Sequence, residues 1–116
     1  KAFQIWGDGS TVRDYCYIDD LVEAVTAALF SPLQRQVNVY NVSSGQTASI
    51  LELIDACQIA SGRSINVEFK PARGVDVACV SPSHQLIADE LGWTAHVDLA
   101  SGLRRTWAWH QSSTLA

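Results

Sequence analysis

The chain has 116 residues, 47% of them hydrophobic and 17% charged, with a formal net charge of −4. That balance fits one folded domain over residues 1–116 with a modest core. It excludes a disordered segment and argues against nucleic-acid binding, which needs clustered Lys and Arg that only Arg104-Arg105 supplies here. No apolar run approaches the roughly 20 residues of a membrane span, and no signal-peptide pattern opens the chain.

In chain order, Ala2–Trp6 alternates and reads as a strand, and Asp8-Gly9 is a strong turn dipeptide. Thr11–Tyr17 is rich in β-branched and aromatic residues and reads as a second strand, a candidate hairpin partner of the first. Asp19 or Asp20 is expected to cap a helix with Leu21, Val22, Val25, Ala28 and Leu29 at helical spacing, ended by Pro32. Val37–Val42 is predicted as a strand and Ser43-Ser44-Gly45 as a turn. Ser49-Ile50-Leu51-Glu52 is a capping box, and the helix it opens stops at Gly62. Ile65–Phe69 reads as a strand, Pro71–Gly74 as a loop and Val75–Val80 as extended. Ser83 and Asp98 are expected to cap two last helices, the first stopped by Gly92 and the second carrying a stripe of Leu99, Leu103 and Trp107. Strands alternating with helices make a mixed α/β class.

Chemistry concentrates in Trp6–Asp20. Arg13, on a strand beside a tight turn, suits an anion, because a guanidinium offers two parallel charge-assisted hydrogen bonds; the plainer alternative is a surface pair with Asp14 or Asp19. Asp19-Asp20 reads as a helix start rather than a metal or acid–base pair. Cys16, Cys57 and Cys79 fit neither a zinc site nor a disulfide framework, and read as small packing residues in a reducing cytoplasm. The scattered His84, His96 and His110 read as surface residues, and the four tryptophans as core or interface packing rather than stacking platforms. With no methionine and Lys1 at the front, the chain is expected to come from inside a longer reading frame or to follow a removed tag.

Four blocks in order carry a resemblance: Gly7-Asp8-Gly9 with Val12-Arg13-Asp14-Tyr15 and Ile18-Asp19-Asp20; Tyr40-Asn41-Val42 with Ser44-Gly45; Pro71-Ala72-Arg73 with Val75-Asp76-Val77; and Leu91-Gly92-Trp93 with Gly102-Leu103 and Thr106-Trp107-Ala108-Trp109. Together, almost end to end, they resemble the C-terminal third of the NAD-dependent epimerase/dehydratase family, the extended short-chain dehydrogenases of the UDP-glucose 4-epimerase type. The resemblance implies a small mixed α/β, substrate-binding part without the Rossmann cofactor domain. It implies Arg13 and Arg73 on the diphosphate of a nucleotide sugar, a UDP-sugar foremost. Asp76 would sit at the ribose or orient Arg73, Tyr15 would line the same pocket, and Gln46 would contact the nucleotide. NAD is the cofactor of the parent family and none is expected on these residues.

Two positions depart from the family pattern. Ser43 stands where the family has a glycine, with strain expected if that glycine has positive φ. Ser83 replaces a capping aspartate, a mild change. Neither a Gly-x-x-Gly-x-x-Gly fingerprint nor a Tyr-x-x-x-Lys pair occurs in these residues, whose lysines are Lys1 and Lys70. The expectation is therefore a binding part that is not catalytic alone. The alternative is a stand-alone remnant serving as a binding or oligomerisation module. Apolar faces exposed near Val37–Val42 and on the tryptophan-rich C-terminal helix would then favour a homo-oligomer, as a homodimer or higher assembly, if the chain is stable alone.

Overall fold

The computed structural model describes residues 2–32 and 37–113. Its elements run β1 (Phe3–Trp6), β2 (Val12–Asp14), α1 (Ile18–Phe30), β3 (Thr47–Ser49), α2 (Ile50–Ser61), β4 (Val67–Lys70), β5 (Cys79–Val80), α3 (Gln85–Leu91) and α4 (Leu99–Ser113). They form a small mixed α/β arrangement with two sheets. In one, β1 and β4 pair in parallel, with Phe3 opposite Val67 and Trp6 opposite Lys70. In the other, β2 is central, antiparallel to β3 and parallel to β5.

The expected hairpin between the first two strands does not form. Gly7 and Gly9 have φ of 90° and 80°, and they turn the chain from one sheet into the other. Asp8 fixes that corner by accepting from the Ser10 backbone N–H at 2.9 Å and from its hydroxyl at 2.6 Å. Both edges of β2 are then taken by β3 and β5. The strand is also shorter than Thr11–Tyr17, because Tyr15–Tyr17 already leads away into α1.

Neither Asp19 nor Asp20 caps α1. Tyr17 is the capping position, with no side-chain cap, and the two aspartates lie in the first turn, where their charge suits the helix dipole. Asp20 is only 2% exposed. Its carboxylate accepts from the Val97 backbone N–H at 3.0 Å, and its carbonyl accepts from the Trp93 indole N–H at 3.0 Å. That pair of bonds ties α1 to the segment before α4, beside a core of Ala24, Ile87 and Trp93.

The capping box of α2 is present in full and Gly62 closes the helix in the left-handed conformation at φ 66°. Gly92 closes α3 at φ 68°. The expected Ser83 cap is shifted: His84 is the capping position, and the Ser83 hydroxyl accepts from the Gln85 N–H at 3.2 Å. Asp98 does hold the start of α4, accepting from the Ser101 N–H at 2.9 Å. Leu99, Leu103 and Trp107 are half-buried along α4, and α4 packs on α2.

Residues Val37–Val42 form no strand. No described strand pairs with them, and the Tyr40 hydroxyl donates to the Glu90 carboxylate at 2.7 Å. Ser43 is not strained, since no residue other than glycine has positive φ among the described ones. It is buried, and its hydroxyl donates to the Pro82 carbonyl at 2.7 Å and lies 3.2 Å from His84 Nδ1. No helix among the described residues is long and apolar enough to cross a membrane.

The molecule is flat, with extents of 50 × 41 × 21 Å and a radius of gyration of 17.0 Å, against about 13 Å for a compact chain of this length. Its accessible surface of 8121 Å² exceeds the roughly 6,200 Å² expected for its mass. Much of the excess is apolar, including Val22, Val25, Leu29 and Phe30 along α1.

Candidate functional site

The corner at Gly7–Gly9 sets β2 beside β1, and a cleft of about 210 Å³ opens where residues of the two sheets meet. Trp6, Arg13, Arg73 and Asp76 line it together. A larger depression of about 750 Å³ shares Trp6, Thr11, Arg73 and Asp76 and extends to Lys70 and Asp8.

Arg13 is half-buried on the central strand. Its Nη1 donates to the Val12 carbonyl at 2.7 Å, and no carboxylate among the described residues pairs with it. The alternative of a pair with Asp14 or Asp19 is not realised. Asp14 is committed to backbone, accepting from the Ser44 N–H at 2.7 Å and the Gly45 N–H at 2.9 Å. Asp19 lies 3.8 Å from Arg105 instead. The Asp14 bonds moor β2 to the turn that follows Val42, in the nest formed as Gly45 takes φ 73°.

Arg73 comes from the loop after β4. Its Nε donates to Asp76 Oδ2 at 2.9 Å and its Nη2 to Asp76 Oδ1 at 3.0 Å. Its guanidinium carbon stands 5.4 Å from the centre of the Trp6 ring. Both partners of this ion pair are exposed enough that it adds at most about 1 kcal/mol to stability. Its effect is to orient: one face of the guanidinium is set against an indole and one edge against a carboxylate.

Among the expected site residues, the cleft gathers Arg13, Arg73 and Asp76. Tyr15 lines a different, smaller cavity with Gly102 and Leu103. Desolvation raises its phenol pKa more than the Arg13 cation lowers it, so the hydroxyl keeps its proton at neutral pH. Gln46 is exposed on the turn; its backbone N–H donates to Ser44 Oγ at 3.0 Å, and its side chain makes no hydrogen bond among the described residues.

Three expectations on single residues change. Trp6 is 45% exposed and walls the cleft rather than filling a core; its place directly before Gly-Asp-Gly was the available signal. His84 is half-buried against Ser43, not a surface residue. Cys79 is exposed on β5, whereas Cys16 and Cys57 are half-buried, with thiol pKa values raised first of all by desolvation. Among the described residues, no three His, Cys, Asp or Glu side chains converge as metal ligands.

A family model described as GDP-mannose 4,6 dehydratase matches residues 1–106. UDP-arabinose 4-epimerase 1 of Arabidopsis thaliana is 39% identical over 105 residues, 90% of this chain and 25% of that protein. UDP-glucose 4-epimerase of Neisseria meningitidis is 36% identical over 107 residues, 88% of this chain and 30% of that protein. The crystal structure of UDP-glucose 4-epimerase from Bifidobacterium longum in complex with NAD+ and UDP aligns with a TM-score of 0.88 and 29% identity, over 98% of this chain and 36% of that one. The chain thus spans about a quarter of the length of the first curated relatives it matches.

Proposed function

The chain belongs to the NAD-dependent epimerase/dehydratase family, matching the C-terminal part of its sugar epimerases, and from that premise we propose that it binds the diphosphate of a nucleotide sugar, a UDP-sugar foremost, between Arg13 and Arg73. The observation that carries this reading is that the two arginines line one cleft while only Arg73 has a carboxylate partner. A diphosphate supplies the missing anion. Two guanidinium forks from different elements hold it at two points, which orients the sugar without engaging its reacting carbons.

Asp76 presets Arg73 and can turn one oxygen to a ribose hydroxyl. Trp6 closes the side of the cleft. Tyr15 and Gln46, expected at the same site from the resemblance, do not line this cleft and are given no contact in it. The roles of the lining residues are binding and orientation, and none is a catalytic residue.

NAD supplies hydride transfer in enzymes of this family, and the described residues do not fit it. A dinucleotide cradle is a glycine-rich turn leading into an unencumbered helix N-terminus. Here the start of α2 is filled by Ser49 with Glu52 and that of α4 by Asp98 with Ser101, while α1, though uncapped, carries the carboxylates of Asp19 and Asp20 in its first turn, which repel a phosphate. No catalytic step is assigned to these residues.

The same reading includes self-association through exposed apolar surface, and a reducing, cytoplasmic setting that suits three free cysteines. Isothermal titration with UDP tests the site. Binding is expected, with at least a tenfold loss for Arg13→Ala, about 1.4 kcal/mol or more, and a smaller loss for Asp76→Asn. An absence of heat with UDP, or an affinity untouched by Arg13→Ala, overturns the assignment.

A further inference from the structure

A second concavity lies at the C-terminal end of α2, and it shares no lining residue with the Arg13–Arg73 cleft. It measures about 460 Å³, within the range of small-molecule sites. Its construction is local. Gly62 turns the chain back at the end of α2, and the return is pinned by Arg63 N–H on Ser61 Oγ at 3.2 Å and by Ile65 N–H on Gln58 Oε1 at 2.9 Å. Helix α4 then supplies the opposite wall with Leu103, Trp107 and Trp109.

The walls are mostly apolar, with Trp107 and Trp109 as their largest side chains, and among the described residues Arg63 brings a positive charge to the mouth. Arg63 holds its guanidinium 5.0 Å above the Trp107 ring. Neither that guanidinium nor the neighbouring Ser64 hydroxyl makes a hydrogen bond among the described residues. The His110 ring lies tilted beside that of Trp107, with 5.7 Å between centroids. Among the described residues, no acidic side chain lines the concavity, in a chain whose net charge is −4.

We propose that this concavity is a binding site for a planar aromatic carboxylate, its ring lying against Trp107 and Trp109 and its carboxylate on Arg63 and Ser64. Aromatic walls select a flat apolar body over an alkyl chain. A guanidinium beside a free hydroxyl donor selects a carboxylate over a neutral end group. The Arg63–Trp107 contact holds that donor in place before a ligand arrives.

Titration of the full chain with 2-naphthoate, followed by proton–nitrogen correlation spectra, tests the site. Saturable shifts are expected at the indole N–H signals of Trp107 and Trp109. 2-Naphthalenemethanol, equal in shape and uncharged, should bind about tenfold more weakly, and Arg63→Gln should bring naphthoate down to the level of the alcohol. Arg63 is exposed, so this variant is expected to keep the fold, checked by signals unshifted away from Arg63 and Trp107. Equal affinity for acid and alcohol, indifference to Arg63→Gln, or shifts confined to the apolar face of α1 would each overturn the proposal. UDP added to the same sample reports at the Trp6 indole instead, so failure of one site is distinguishable from failure of the other.

Discussion

Asp14 and Asp20 both direct carboxylates at backbone N–H groups far away in sequence, and each bond fixes a separate part of the molecule. Asp20 is the sharper case because it is buried. Removing its side chain leaves the Val97 N–H in a partly buried position without its acceptor, a loss of about 1–3 kcal/mol. Asp20→Ala is therefore expected to lower the urea midpoint with little change in slope, and Asp20→Asn, which keeps a carbonyl oxygen, to cost less. A midpoint equal to that of the unmodified chain would contradict this assignment. In sequence Asp20 is one of two adjacent acids at a helix start, and dipole and capping arguments treat them alike. Their different fates depend on Val97, 77 positions away. The site shows the same division. Arg13 and Arg73 were legible because guanidinium chemistry and motif order identify them. That Trp6 joins them, and that Tyr15 faces another cavity, depends on how strands pair.

At the scale of elements, legibility follows range. Helix α2 was readable because its signals lie within its own length: serine and glutamate three apart at the start, glycine at the stop. Ser49→Ala should destabilise the fold by about 1 kcal/mol, measured by thermal unfolding. Glu52 adds a pH dependence to that cap. Hydrogen bonds from the Ser49 backbone and hydroxyl hold its carboxyl pKa below the ordinary value, so the folded state binds protons less readily than the unfolded one. The cap's contribution is full above the unfolded carboxylate pKa and is lost as pH falls through the lower, folded value. The gap between the unmodified chain and Ser49→Ala should accordingly narrow on acidification. Asp8, Glu68 and Asp98 are shifted in the same direction by their own hydrogen bonds and reinforce acid sensitivity. Strand pairing was not readable. The β-branched residues and Tyr40 of Val37–Val42 suit a strand, but a strand also needs a neighbour to complete its ladder. The Asp-Gly dipeptide that suggests a hairpin serves here as a corner between sheets.

The whole molecule has more surface than its mass requires, and few fully buried apolar side chains: Ile5, Ala24, Ala48, Ile54, Ile87 and Trp93 among the described residues. Helix α1 has the expected apolar spacing, yet Leu29 is 73% and Phe30 83% exposed. Burying such a face is worth roughly 25 cal/mol per Å², so the chain alone is expected to associate with itself. Multi-angle light scattering should show mass rising with concentration toward a dimer or beyond. The double variant Leu29→Asp with Phe30→Asp should reduce that association. A monomer at every concentration would count against it.

The two arginines of the cleft stand on unlike supports. Arg13 rides a strand bonded along both edges, so its backbone is fixed before any anion arrives and only side-chain torsions remain to be lost. Arg73 belongs to an exposed loop without strand or helix, and its position rests on Asp76 and Trp6. Gripping an anion therefore costs unequal amounts of conformational entropy at the two ends. The strand end acts as a fixed jaw. The loop end carries most of the ordering, and rigidifying that loop is the more direct route to a tighter grip.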